Sequence, residues 1–192
     1  MTFRPARKED APSLAEFMNY AGHGMPHYLW SKLAKAGEDP WEIGRARAAR
    51  EEGAFSYRNT TVVEHDGECA GCLIGYAIPE KPEPIPPEMP AMFVPLQELE
   101  NLAPSTWYIN VVGVHERFRN LGLGGKLLAL ADDTARNMGL RATSLIVADD
   151  NHDARRLYHR YGMRERAARK AVTEDWDTDT ENWILMVKEL SS

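Results

Sequence analysis

Cysteine is nearly absent from this chain: 192 residues carry two, Cys69 and Cys72. Two thiols cannot build the disulfide framework of a small secreted domain, which agrees with a reducing compartment. Long apolar runs are missing too, so no membrane span is expected. The first ten residues, MTFRPARKED, are too charged for a secretory signal, and the cytoplasm is the default location. An excess of basic residues is also lacking: Lys and Arg number 23 against 29 Asp and Glu, a net charge of −6. Binding a phosphate backbone needs concentrated Lys and Arg, so nucleic acid is not an expected partner. The arginines of Glu42-Ile-Gly-Arg45-Ala-Arg47 sit beside acids and read as a solvated helix face. Repeats, low-complexity tracts and interdomain linkers are absent, and the length suits one well-buried core, so a single domain over 1–192 is expected.

Metal-ligand sets are scarce as well. Cys69-Ala-Gly-Cys72 has zinc-knuckle spacing, but the segment reads as a strand, where residues three apart face opposite sides. No second cysteine pair exists to close a structural site. His23 and His27 are four apart, yet Gly24 and Pro26 between them argue for a loop. No metal is expected.

The patterning that is present divides the chain in two. Thr2 to Arg4 reads as a short strand, and Asp10 as the cap of a helix from Ala11 to about Tyr20, with Pro12 in its first turn. Further helices are expected near His27 to Ala36 and Trp41 to Glu52. Thr60 to Glu64 and Cys69 to Ile78 flank Asp66-Gly67, a hairpin signal. Eight of the 12 prolines then fall between Pro79 and Pro104, which predicts an extended surface loop with one helical turn near Leu96 to Asn101. The second half alternates. Trp107 to Val114 and Thr143 to Ala148 read as buried strands, and Leu123, Leu127, Leu130, Ala131 and Met138 as the stripe of a helix between them. A short helix through Ala154, Leu157, Tyr158 and Tyr161 and a final strand Trp183 to Val187 complete the order. This succession implies a mixed sheet with helices on both faces.

Chemistry concentrates in Val112-Gly-Val-His-Glu-Arg-Phe-Arg119-Asn-Leu-Gly122-Leu-Gly124-Gly125-Lys126, a glycine-dense turn from strand to helix. The first N–H groups of a helix have no partners inside it, and the macrodipole adds about half a positive charge. Glycine lets a pyrophosphate approach that backbone closely. A Walker loop is excluded because Asn120 stands where its first glycine belongs and Leu127 follows Gly125-Lys126. A dinucleotide fingerprint fails for want of a third glycine at Leu127. What remains is Arg-x-x-Gly-x-Gly over Arg119 to Gly124.

This stretch resembles the coenzyme A motif of the GCN5-related N-acetyltransferase (GNAT) superfamily. Asn151-His-Asp-Ala154-Arg-Arg-Leu157-Tyr158-His-Arg-Tyr161-Gly162-Met163 resembles the superfamily's other hallmark, and the two stand in the family's order and spacing. The resemblance implies an acyl-CoA N-acyltransferase fold, a central mixed, mostly antiparallel sheet flanked by helices. It implies acetyl-CoA as co-substrate, an unidentified amine as acceptor, and direct transfer in a ternary complex. Main-chain groups of Val112, Gly113 and Val114 would bond the pantetheine arm. The amides of Asn120, Leu121, Gly122, Leu123, Gly124 and Gly125 would hold the pyrophosphate, with Arg119 beside them. Asn151 would bond the pantetheine near its thiol end. Tyr158 would be the general acid that protonates the departing thiolate. Family members often pair through late strands, which makes a homodimer an expectation.

The general base is the gap. Several family members place a glutamate on the strand before the glycine turn, where this chain has Tyr108 and Asn110. Glu98, Glu100, His115, Asp149 and Asp150 are the candidates, alongside bulk water. That missing glutamate motivates the alternative of a non-catalytic acyl-CoA-binding protein on the same fold. The segment Gly22 to Trp30 is the candidate wall for the acceptor.

Overall fold

A computed structural model describes residues 1–191. Seven strands form a mostly antiparallel sheet in the order β1-β2-β3-β4-β5-β7-β6, flanked by helices. The strands are β1 (Thr2–Pro5), β2 (Thr60–His65), β3 (Glu68–Ala77), β4 (Trp107–Val114), β5 (Ala142–Ala148), β6 (Arg164–Lys170) and β7 (Asn182–Glu189). The helices are α1 (Ala11–Ala21), α2 (Met25–Leu33), α3 (Pro40–Ala48), α4 (Val94–Glu100), α5 (Leu123–Asn137) and α6 (His152–Arg160). Contacts divide the chain into two compact units, the first made of Met1–Gly75 and Asn110–Leu127 and the second of the remainder.

In the first unit β1, β2 and β3 pair antiparallel, with a bulge at Val63/Glu64. Leu14, Ala15, Phe17 and Met18 of α1 meet Trp30, Val62, Cys72, Ile74 and Val111 in one apolar core. Asp10 precedes α1 but does not cap it. Its carboxylate instead takes both nitrogens of the Arg4 fork, at 2.8 and 2.9 Å, and the Arg7 N–H at 2.6 Å. The Arg4 guanidinium, with help from that backbone bond, outweighs partial burial and holds the Asp10 carboxyl below its usual range.

Pro26 starts a helix rather than breaking one: His23 lies in the expected turn between α1 and α2, at φ 56°, but His27 is helical rather than in a loop. Gly24 turns the chain at φ 93°, Pro26 fills the first turn where no N–H is needed, and His27 lies within α2. Asn19 Oδ1 accepts the His27 N–H at 3.0 Å, and the His27 ring lies 5.0 Å from that of Trp41. Helix α3 stops at Ala48, short of the expected Glu52. Ser56 donates to the Arg50 carbonyl at 2.6 Å and Gly53 turns at φ 95°, which draws the chain off the helix axis.

Close backbone approach explains Gly71 on β3. A Cβ there would meet the Gly113 carbonyl oxygen at 2.6 Å, and a backbone atom cannot yield as a side chain can. Gly71→Ala is expected to lower stability by about 1–3 kcal/mol, read as a reduced denaturation midpoint in urea with the slope unchanged.

In the second unit Trp107 and Tyr108 of β4 pair in parallel with Thr143 and Ser144 of β5. Strand β7 runs antiparallel between β5 and β6. Trp107, Tyr108 and Trp183 are buried, as the sequence led us to expect. Met138 is not: it falls one residue beyond α5, before Gly139 at φ 74°, and is 55% exposed.

The proline-rich segment carries more structure than an extended loop. A 3-10 turn at Ala91–Phe93 leads into α4, and Met92, Leu99 and Ala103 are buried. Its ends are tied by Ile78 N–H to Thr106 O and Ser105 N–H to Ile78 O, at 2.9 and 3.2 Å. The Asn101 side chain clamps Glu83 through both its N–H (3.0 Å) and its carbonyl (2.9 Å), holding the excursion against the end of α4. Prolines fix φ and reduce the entropy lost on ordering, so a proline-rich segment with these anchors folds into a defined shape.

Candidate functional site

Strand β4 ends at Val114, and a 3-10 turn over Glu116–Phe118 leads to Arg119. Asn120 (φ 64°) and Gly122 (φ 74°) both adopt left-handed backbone, and Leu123 then opens the 15-residue α5. Successive amides across alternating backbone hands form a concavity suited to anions, and here it abuts a helix N-terminus. Gly122 and Gly125 are open: a Cβ at either would meet no heavy atom within 4 Å. Internal packing therefore does not require glycine at 125. An external group that approaches the backbone would require it. Arg117 is paired with Glu68 and Arg119 with Glu116 at 3.4 Å, and both guanidinium groups remain exposed. In β4, Val112 and Val114 are half-buried and Gly113 is buried, where its Cβ would touch Phe17 at 3.0 Å.

The second motif has a local physical reason. Asn151 Oδ1 accepts the Ala154 N–H at 3.3 Å, capping α6. Its amide nitrogen makes no hydrogen bond among the described residues. Tyr158 is the buried residue of α6. Its hydroxyl has no hydrogen-bond partner among the described residues, and burial pushes its pKa up to about 12. At neutral pH it is a phenol with a proton to give.

The candidate bases separate on their surroundings. Glu98 is held by Arg169 at 2.6 Å. Asp149 accepts from the Asn182 side chain at 2.8 Å and the Glu181 N–H at 3.1 Å. Partial burial pushes its carboxyl up, but these bonds prevail and leave it below its ordinary range. Asp150 accepts from the Thr180 hydroxyl at 3.0 Å. His115 lies 4.0 Å from Glu16, with Nδ1 buried and unbonded. Glu100 differs from all of these. It accepts one hydrogen bond, from the Tyr76 hydroxyl at 3.0 Å, and forms no ion pair among the described residues. Burial raises its pKa, the Glu83 charge adds to the rise, and the Tyr76 bond offsets part of it.

Tyr76 was missed in the sequence. Its ring centroid lies 5.3 Å from that of Tyr108, whose phenol is pushed well above its usual range by burial first. Glu100, Tyr76 and Tyr158 then contribute electrostatically at Tyr108, so these four groups share one neighbourhood within the second unit. The available signal was an aromatic on each of two neighbouring strands, Tyr76 on β3 and Tyr108 on β4, but the pairing of β3 with β4 had to be known first.

Cys72 is fully buried in β3 and Cys69 half-buried, and burial raises both thiols. Among the described residues no helix is long and apolar enough to cross a membrane.

The family model for the acetyltransferase (GNAT) family matches residues 26–163. An uncharacterized N-acetyltransferase, YycN of Bacillus subtilis (strain 168), is 40% identical over 58 residues, 30% of this chain and 37% of that protein. The match thus spans little more than a third of that relative's length. A solved acetyltransferase superposes with a TM-score of 0.65 over 100% of both chains at 23% identity. A GNAT family acetyltransferase from Elizabethkingia anophelis, solved with acetyl-CoA bound, superposes with a TM-score of 0.51 at 22% identity, over 68% of this chain and 75% of that one. With a family model spanning both motifs, this chain belongs to the GNAT family of acetyltransferases.

Proposed function

We propose that this protein is an acetyl-CoA-dependent N-acetyltransferase, acting as one catalytic domain that passes an acetyl group directly to an amine in a ternary complex. The observation that carries the reading is the turn over Arg119–Gly125: left-handed backbone at Asn120 and Gly122, and unobstructed space above Gly122 and Gly125, at the start of α5, where the first amides have no partner inside the helix. Those features fit a pyrophosphate, with Arg119 adding charge. Acetyl-CoA in a structural relative of the same fold supports the choice of co-substrate. Val112, Gly113 and Val114 would offer main-chain groups to the pantetheine, and the free amide of Asn151 would reach it near the thiol. Tyr158 would supply the proton that the departing thiolate takes up. Neither thiol has the setting of a covalent nucleophile, since burial raises both and so disfavours the thiolate.

Isothermal titration with acetyl-CoA tests the donor half. Saturable binding supports the reading, and absence of binding at millimolar concentration overturns it. Gly125→Leu sharpens the test, because glycine at 125 has no internal packing role. The substitution should leave melting unchanged or raise it, since leucine favours a helix over glycine by close to 1 kcal/mol. Acetyl-CoA affinity should fall about 10–100-fold through loss of one charge-assisted bond to the backbone. Equal affinity in the two proteins would move the anion site elsewhere.

A further inference from the structure

Carboxylates in this protein are mostly given a cation or several donors. Asp10 has Arg4, Glu98 has Arg169, Glu165 has Arg155 and Asp132 has Lys188. Glu100 is the exception that lies in a protected place. It sits at the last residue of α4, half-buried, with one hydrogen bond from Tyr76 and no Lys, Arg or His partner among the described residues. A carboxylate withdrawn from water without a counter-ion costs free energy that the fold does not recover by itself. Such a group is a functional candidate when its surroundings are also built to hold it still. Here they are. The Asn101 clamp on Glu83 fixes the segment beside it, the paired ends of the proline-rich excursion close it off, and α4 packs on β6 and β7. Tyr76 sets one carboxylate oxygen and leaves the other free.

We propose that Glu100, oriented by Tyr76, receives the ammonium group of the acceptor and takes its proton, so that the acceptor is an alkylamine that arrives as a cation. This deepens the function proposed above and rests on it. The acceptor R–NH3+ gives one proton to the Glu100 carboxylate, and the freed nitrogen lone pair attacks the acetyl carbonyl carbon. The C–S bond breaks as the C–N bond is completed, and the nitrogen loses its second proton to solvent. The thiolate takes a proton from Tyr158, which is restored from water, and Glu100 returns its proton to solvent. Two protons leave nitrogen, one ends on sulfur and one in solvent, so the step balances.

The site also has a chemical logic at neutral pH. An alkylammonium with a pKa near ~10.4 is neutral in about one part in 10³, and a carboxylate with a raised pKa is a better proton acceptor than one in water. Burial is the main cause of that rise, Glu83 adds to it, and Tyr76 offsets it in part. Tyr108 and, through it, Tyr158 also belong to this neighbourhood, while the Arg169 of β6 is already engaged by Glu98.

Glu100→Gln is the variant of choice, because glutamine keeps an oxygen for the Tyr76 hydroxyl. Thiol release from acetyl-CoA is measured with putrescine, tyramine and an alanine-led peptide as acceptors, next to acetyl-CoA titration and melting. Turnover by the wild type with any of these, falling about 100-fold or more in the variant with acetyl-CoA affinity unchanged, is the expected result. The wild-type rate should climb with pH along a limb that the variant lacks. Melting at neutral pH should be unchanged or higher in the variant. A raised folded-state pKa stabilises below the unfolded carboxyl pKa, and that contribution disappears as pH rises through the folded value. Turnover within threefold of wild type in Glu100→Gln overturns the proposal. So does a wild type that binds acetyl-CoA yet acetylates none of the three amines. Failure to bind acetyl-CoA at all strikes the donor reading instead, and this inference falls with it.

Discussion

Replacing Asp132 by alanine is expected to remove about 3–5 kcal/mol of stability, the range seen when one partner of a buried ion pair is deleted. Asp132 is 3% exposed on α5 and gathers three donors from separate elements. Thr143 of β5 donates at 3.1 Å, Tyr161 beyond α6 at 2.8 Å, and Lys188 of β7 at 2.6 Å. The Lys188 ammonium also sits 3.7 Å from the centre of the Tyr161 ring, so the cation depends on both. Tyr161 itself is shifted upward by burial and by its bond to the carboxylate, which keeps it a donor. Without Asp132 the lysine head loses its partner, two hydroxyls lose their acceptor, and a cavity opens between helix and sheet. Lys188 is 22% exposed and can turn toward water, which places the loss at the lower end of the range. At about 2–4 °C per kcal/mol for a protein of this size, melting should drop by about 6–12 °C. Asp132→Asn keeps an acceptor for the hydroxyls and should lose less. Equal loss in both would assign the effect to charge alone, and no loss in either would show that the network is dispensable.

That network also shows where sequence reasoning stops. Asp132 sits among Leu127, Leu128, Ala131 and Ala135 on the buried side of α5, yet an aspartate in a helix reads as solvent-facing. Its partners are 11, 29 and 56 residues away, and no local pattern links them. By contrast, β4 was legible to the residue, because Trp107 to Val114 is a largely apolar run, broken only by Asn110 and Gly113, between turn signals. The glycine turn was legible for a similar reason, since its peptide geometry is encoded by the glycines and Asn120 themselves.

Strand β6 escaped notice. Its sequence, Arg-Glu-Arg-Ala-Ala-Arg-Lys, has no apolar alternation, because it is the last strand of the sheet and most of it faces solvent. Charge on an edge strand blunts pairing with other chains, so the feature that hides the strand from a reading of the sequence has a physical use of its own. Helix α4 was placed within two residues at its start and one at its end, but its role was not. Prolines argued for a surface loop, while Leu99 and Met92 pull the segment into the core and set Glu100 beside Tyr76. Distances between remote residues, rather than composition, separate Glu100 from the other four candidate bases.

Tyr158→Phe should lower the rate of acetyl transfer by about 10²–10⁴-fold while leaving acetyl-CoA affinity within twofold. The alternative is that this aromatic on α6 is simply part of the core. Tyr158 is 8% exposed, and phenylalanine would fill the same volume. A core role therefore predicts that the substitution is neutral or stabilising, because the hydroxyl has no hydrogen bond among the described residues to lose. A phenol with no internal partner, in a place where burial lifts its pKa to about 12, is instead held protonated with its proton uncommitted. The leaving group of a thioester aminolysis is a thiolate, and a thiol near ~8.5 draws a proton from a phenol only as negative charge develops on sulfur and is shielded from water. Proton donation then occurs in the transition state, where it accelerates transfer, and leaves ground-state binding untouched. The affected quantity is kcat, with KM for the amine unchanged. Because Tyr158 and Glu100 would serve the same transfer step, the double variant Tyr158→Phe, Glu100→Gln should lose less than the product of the single losses. Rates for the phenylalanine variant within threefold of wild type would return Tyr158 to the core and leave the thiolate to solvent. Binding of acetyl-CoA without turnover in the wild type would favour a non-catalytic acyl-CoA-binding protein on the same fold.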